Sequence, residues 1–297
     1  MTAAISTGAP ILYATLGELV MERGGVLNLG VEGMMMVGAL AAFLGCYHTG
    51  SPWFGLLCGG FSAMLMSMLH GAICLIFQGS QVVSGLALTI FGTGLANYLG
   101  TPYIQMKIQG FTALDVPLLS SIPVLGPIFF QQDVLVYLSY ILPFLLWWLL
   151  MRTRFGLALR ATGENPAAVR AAGISPGAVR WAALMLGGFL VGLGGAYLAL
   201  ASMRMWVDNL VSGRGWIAVA LVIFAFWRPG RAVFGVYLFS GITAYLFRAQ
   251  ALGVGIPTAF LSMLPYLMTL AVLLASSLRG KDSGAPADLA NNLRPED

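Results

Sequence analysis

Apolar positions in this chain do not alternate with polar ones. They run together in blocks of 12–26 residues, separated by stretches richer in Gly, Pro and Arg. A helix needs about 20 mostly apolar residues to cross a bilayer. Blocks of that kind stand at 8–21, 31–48, 53–78, 82–100, 134–151, 178–203, 216–227 with its flanks, 232–250 and 259–278. The pattern predicts an all-α polytopic transmembrane helical bundle of about eight or nine membrane segments. The first and seventh blocks are short and are expected to be broken or re-entrant.

Composition agrees. Of 297 residues 59% are hydrophobic and 9% charged, too few charges to coat a soluble globule. The same numbers exclude intrinsic disorder. The opening stretch 1–10 has no basic n-region, so no cleavable leader is expected. The net charge of +4 is spread over loops flanking the blocks, which does not suggest nucleic acid. Cys46, Cys58 and Cys74 lie in apolar runs and read as small buried hydrophobes. His48 and His70 have no metal-like spacing, so no metal site and no catalytic residue is expected.

Arginine sets the orientation. Five arginines fall between Arg152 and Arg180, and taking that side as cytoplasmic sorts the rest. Arg23, Arg228, Arg231, Arg279, Lys281 and Arg294 then lie inside. Lys107, Arg204, Arg214 and Arg248 fall outside or within the membrane, giving eleven basic residues against four. The loop 101–132, with four prolines, is read as a structured external loop with short helices. Residues 1–280 form a single membrane domain, and 281–297 a disordered cytoplasmic tail.

Candidate chemistry falls in two places. In the cytoplasmic loop of about 152–178, Asn165 is a good helix N-cap, Pro166 suits the first helical position and Gly173 is a natural C-cap. The short helix between them cannot persist unaided. It is either a plain connector or an element held by a partner. Within the membrane, Glu18, Glu22, Arg23, Asn28 and Glu32 cluster in a stretch with five glycines from Gly17 to Gly33. That stretch reads either as a broken helix beside a pathway or as a cytoplasmic turn with solvated charges. Gln81, Ser84, Thr89 and Asn97 lie along the fourth block and suit either a hydroxylated solute or neighbouring helices. Arg214 and Trp216 open the seventh block. Arg214 suits a loop carbonyl, and Trp216 a stacked ring or an interfacial anchor.

These residues carry a resemblance. GENPAAVRAAGI (163–174) resembles the coupling loop of permease subunits of bacterial ATP-binding-cassette importers. LGE (16–18) with ERGGVLNLGVEGM (22–34), SQVVSGLAL (80–88), IPVLGP (122–127), GRGWIA (213–218) and LPY (264–266) are similar, in order, to the branched-chain amino acid/ribose-type permease family, nucleoside and simple-sugar branch. The resemblance implies that Gly163, Glu164, Asn165, Pro166, Ala167, Ala168, Arg170 and Gly173 couple the chain to an ATPase. Asn28, Glu32, Gln81, Ser84, Thr89, Asn97, Arg214 and Trp216 are the candidate pathway residues. Neither Lys107 nor Lys281 follows a G-x-x-x-x-G sequence, so no P-loop is present and the chain is not expected to be an enzyme. ATP and Mg are expected in partner ATPase subunits. The other implied partners are a second, different permease, an extracytoplasmic binding protein and the lipid of a bacterial inner membrane, with the C-terminus cytoplasmic. The implied cargo is a nucleoside or related sugar. A pentose or branched-chain amino acid importer, and a stand-alone secondary transporter or channel using Glu18 or Glu32, are the alternatives.

Overall fold

The computed structural model describes residues 2–115, 129–251 and 284–291 and the single positions 120, 126, 263, 267, 270 and 274. The apolar blocks within them are helices: α1 (Thr2–Arg23), α2 (Val31–Thr49), α3 (Pro52–Gly71), α4 (Gln81–Gly100), α5 (Val134–Arg152), α6 (Arg154–Glu164), α7 (Pro166–Ala171), α8 (Pro176–Tyr197), α9 (Arg214–Phe224) and α10 (Pro229–Ala251). Wider π-turns at Ala72–Ile76 and Leu198–Met203 prolong α3 and α8. Six of these helices (α1–α5 and α8) are long and apolar enough to cross a membrane. Apart from positions 263, 267, 270 and 274, the ninth block, 259–278, lies outside the described residues, as do the 264–266 motif and all of 122–127 but Gly126.

Helix starts follow local chemistry. The side chains of Ser51, Ser80, Asp133, Thr153, Asn165 and Ser175 each accept a backbone N–H of the first turn they precede. Proline follows Ser51, Asn165 and Ser175, at the one helical position where its missing N–H costs nothing.

Helix α8 is the centre of the bundle, packed against α1, α2 and α3. With no hydrophobic drive between helices in lipid, association relies on close backbone approach through small residues. Gly195 lies against the Met35 carbonyl of α2 and Gly187 against Gly17 of α1, so closely that an added Cβ would collide with backbone.

Two expectations need correction, and a third, the structured external loop, gains two strands. The first segment is neither short nor broken: α1 is continuous over 22 residues, with Pro10 inside it. The break comes after Arg23. The described part of the external loop holds a 3-10 turn at Thr101–Tyr103 and two antiparallel strands, β1 (Ala113–Asp115) and β2 (Gln131–Asp133), paired Ala113 to Asp133. Residues 284–291, within the tail expected to be disordered, are folded back onto the bundle. There Asp288 pairs with Arg180 at the start of α8, the Asp288 N–H donates to the Gly163 carbonyl at 2.9 Å, and Gln81 Nε2 donates to the Asn291 carbonyl at 2.6 Å. A soluble-looking composition predicted disorder, but these contacts join residues more than a hundred positions apart.

Candidate functional site

Between α1 and α2 the chain does not make a solvated turn. Residues 24–30 are non-helical and mostly buried, and they rise into the bundle beside α4, where Gly85 faces Leu29 and Leu88 faces Gly30. Non-helical backbone at such depth is tolerated only where protein satisfies its polar groups. Here side chains from three helices do so. Gln81 Oε1 accepts the Leu27 N–H at 2.6 Å, and His70 Nε2 lies 3.1 Å from the Leu27 carbonyl. Glu18 Oε1 accepts the Asn28 N–H at 2.9 Å, and Thr89 Oγ1 donates to the Leu29 carbonyl at 2.8 Å. Asn28 Oδ1 accepts the Gly30 N–H at 2.8 Å, a local turn that launches α2. Ser84 joins through His70 Nδ1, 3.0 Å away.

Asn28, Gln81, Ser84 and Thr89 are therefore brought together, around backbone. Both readings of the glycine-rich stretch miss part of this. The helix before it is whole, with Glu22 buried and Arg23 half-buried: Glu22 Oε2 accepts from Trp227 Nε1 at 2.5 Å, and Arg23 Nε donates to the Trp227 carbonyl at 3.0 Å.

Glu32 does a second backbone task. Its two carboxylate oxygens accept the N–H groups of Gly213 and Gly215, each at 2.7 Å, at the start of α9. A carboxylate at a helix N-terminus is favoured by the orphan donors and the macrodipole. Between those glycines, Arg214 turns back to the Leu210 and Val211 carbonyls at 3.3 and 2.9 Å. Trp216 is one-third exposed on the same helix. Asn97 stands apart, its Oδ1 accepting the Asn209 N–H at 3.1 Å.

His70, Glu18, Glu22 and Trp227 belong to this framework, and His70 was given no role from sequence. Its signal was a lone imidazole inside an apolar block, which is costly unless partnered. A second polar cluster, also unforeseen, joins Tyr13 and Tyr197 to the junction of β2 and α5: Tyr197 donates to Asp133 Oδ2 at 3.0 Å and Tyr13 to the Leu135 carbonyl at 2.7 Å. Among the described residues no group of His, Cys, Asp and Glu could hold a metal.

The other candidate element is α7. Asn165 Oδ1 accepts the Ala168 N–H at 3.1 Å, Pro166 opens the helix, and Gly173 leaves it at φ +78°. Val169 is buried, whereas Glu164, Asn165, Ala167, Ala168, Arg170 and Gly173 are exposed. Gly163 is buried at the end of α6, against the Arg23 carbonyl.

The model of the branched-chain amino acid transport system / permease component family matches residues 1–273. A Haloferax volcanii protein, provisionally named a glucose ABC transporter permease, is 38% identical over 94% of this chain and 92% of its own length. A nucleoside ABC transporter permease of Lactococcus lactis subsp. cremoris is 35% identical over 96% and 93%. A guanosine ABC transporter permease of Bacillus subtilis is 32% identical over 89% and 88%. No solved structure matches the chain.

Proposed function

Because the chain belongs to the branched-chain amino acid transport system / permease component family, we propose that it is the membrane-spanning subunit of an ATP-binding-cassette importer for a nucleoside or related simple sugar. The observation that carries the reading is α7. A six-residue helix, capped at both ends and exposed on every residue but Pro166 and Val169, has no internal reason to persist. An ATPase cleft around Ala167, Ala168 and Arg170 supplies one. Movement of that cleft passes to α6 through Gly163 and Glu164, and to α8 through the turn at Gly173.

The cargo reading is supported by the names of the nucleoside, guanosine and glucose relatives. The partners are ATPase subunits that bind ATP and Mg, an extracytoplasmic binding protein, and a second permease unlike this one. The arginine-rich end faces the cytoplasm of a bacterial inner membrane, and the C-terminus lies on that side. Hydrolysis belongs to the ATPase, and this chain converts its closure into access. Of the candidate pathway residues, Trp216 presents a free aromatic face. Asn28, Glu32, Gln81, Ser84, Thr89, Asn97 and Arg214 act by shaping the backbone around the pathway.

The test is uptake by the transporter reconstituted with its ATPase and binding protein. Labelled nucleoside should be taken up in an ATP-dependent way, and unlabelled nucleosides should compete better than ribose or leucine. Competition by leucine without competition by nucleosides would reassign the cargo. ATP-independent uptake would return the chain to a stand-alone carrier.

A further inference from the structure

Four arginines from three separate segments of the chain converge at one end of the bundle. Arg23 closes α1, Arg160 lies on α6, Arg228 precedes α10 and Arg231 lies in its first turn. Together they line a cavity of about 660 Å³. A guanidinium stays charged at any physiological pH. Arg160 and Arg228 lie close enough to repel Arg23, and Glu164 offsets part of that charge from beyond the cavity wall. Among the described residues the lining contains no carboxylate, and the one ion pair, Arg180 with Asp288, is elsewhere. Gathered like charges repel unless an anion sits among them.

The rest of the wall bears on which anion. The first turn of the 23-residue helix α10, at Pro229 and Gly230, opens on the cavity and adds the positive end of its macrodipole. Arg231 lies over the Phe226 ring at 5.3 Å, which leaves its in-plane N–H groups for a planar or tetrahedral oxyanion. Opposite stand Trp147 and Met151, each more than one-third exposed. They continue the outward apolar stripe of α5 that includes Phe144 and Trp148. Arg152 sits 6.0 Å from the Trp147 ring, the pairing expected where hydrocarbon meets headgroups. A freely soluble anion needs the guanidinium groups and not the apolar wall. A lipid phosphodiester whose acyl chains lie along α5 uses both, and basic pockets at the positive side of membrane proteins suit such headgroups. The volume lies in the range of small-molecule sites.

We propose that this cavity binds a phosphate-bearing anion supplied by an anionic phospholipid of the surrounding leaflet. The bound headgroup joins the ends of α1, α5, α6 and α10 beside the α6–α7 corner.

The test uses the assembled transporter in detergent, titrated separately with phosphatidylglycerol, phosphatidylcholine and inorganic phosphate. Native mass spectrometry counts bound lipid, and Tm is followed in parallel. Arg228→Gln and the pair Arg228→Gln/Arg231→Gln remove exposed cavity charges, so folding should hold. Arg154→Gln removes an exposed charge at the same end outside the cavity. Phosphatidylglycerol should be retained over phosphatidylcholine. Its apparent affinity should fall about threefold in Arg228→Gln and at least tenfold in the pair, with less than a twofold change in Arg154→Gln. Equal losses in Arg228→Gln and Arg154→Gln would reduce the effect to general surface charge and overturn the site, as would equal retention of both lipids. Stabilisation by inorganic phosphate that matches phosphatidylglycerol would overturn the lipid source. Because the readout is lipid retention and not uptake, failure here leaves the importer reading standing, and the reverse also holds.

Discussion

Gln81 shows how a polar side chain in an apolar helix acquires its meaning. From sequence it shares a face with Ser84 and Leu88, suited to a solute or to a neighbouring helix. In the fold its carbonyl oxygen serves Leu27 and its amide serves Asn291, 54 and 210 residues away. Gln81→Leu removes both bonds and leaves the Leu27 N–H without this acceptor. An unsatisfied buried donor costs about 1–3 kcal/mol. The expected outcome is a lower Tm of the purified transporter, with uptake falling in parallel. Lost uptake at unchanged Tm would make Gln81 a solute contact instead. Glu32 invites the same comparison. Glu32→Gln keeps one carbonyl acceptor but turns an NH₂ toward a backbone N–H, forfeiting a charge-assisted bond of about 1.5–3 kcal/mol. Thermal unfolding should show it as destabilised, and Glu32→Asp should not restore the span to both Gly213 and Gly215. That Asn28 and Thr89 were polar within or beside apolar blocks was legible. Their partner was not, since a non-helical peptide inside the bundle has no periodicity to announce it.

At the scale of the element, α7 was legible nearly to the residue. Cap residues act within one turn of chain, so Asn165, Pro166 and Gly173 mark where the helix starts and stops, although its persistence needs outside support. Ala168→Arg places bulk and charge on its exposed face. If α7 docks in an ATPase cleft, co-purification of the ATPase and substrate-stimulated ATP hydrolysis should both be lost, with membrane insertion intact. Wild-type levels of both would remove α7 from coupling. Gly173→Val tests the exit turn, because a β-branched residue at φ +78° is strained by roughly 1–2 kcal/mol. It should weaken coupling less than Ala168→Arg. Elements defined by long-range packing were less legible. Helix α1 is unbroken despite Pro10 and its glycines because Gly17 meets α8 by close approach and not by a kink. Glycine allows either, and the sequence does not distinguish them.

For the molecule as a whole, the sorting of arginine by side anticipated the convergence of Arg23, Arg160, Arg228 and Arg231 at one end. It could not place them in one cavity. The C-terminal stretch 284–291 is the larger surprise. It spans the starts of α4 and α8 and the end of α6, and the Ala287 N–H reaches Glu164 Oε2 at 3.4 Å. The stretch therefore braces the base of the α6–α7 corner. A chain ending at residue 283 should still insert, since no spanning helix is touched. Hydrogen–deuterium exchange in 159–164 should rise, and ATP hydrolysis should couple less tightly to uptake. Unchanged exchange there would deny the brace any mechanical part.

Hydrophobic blocks, caps and charge bias are properties of a few to some twenty consecutive residues. The bilayer imposes them directly, through the length of its hydrocarbon core and its intolerance of unpaired backbone. Hence the all-α membrane class, the positions of six membrane-length helices and the capped helix at 166–171 follow from the chain alone. Folding was needed to settle where the buried polar groups spend their hydrogen bonds, that 24–30 rises into the bundle, that 284–291 folds back, and that four guanidinium groups face one cavity. Each depends on contacts between distant segments, chosen by the packing of α8 against its neighbours, and no local pattern encodes such a choice.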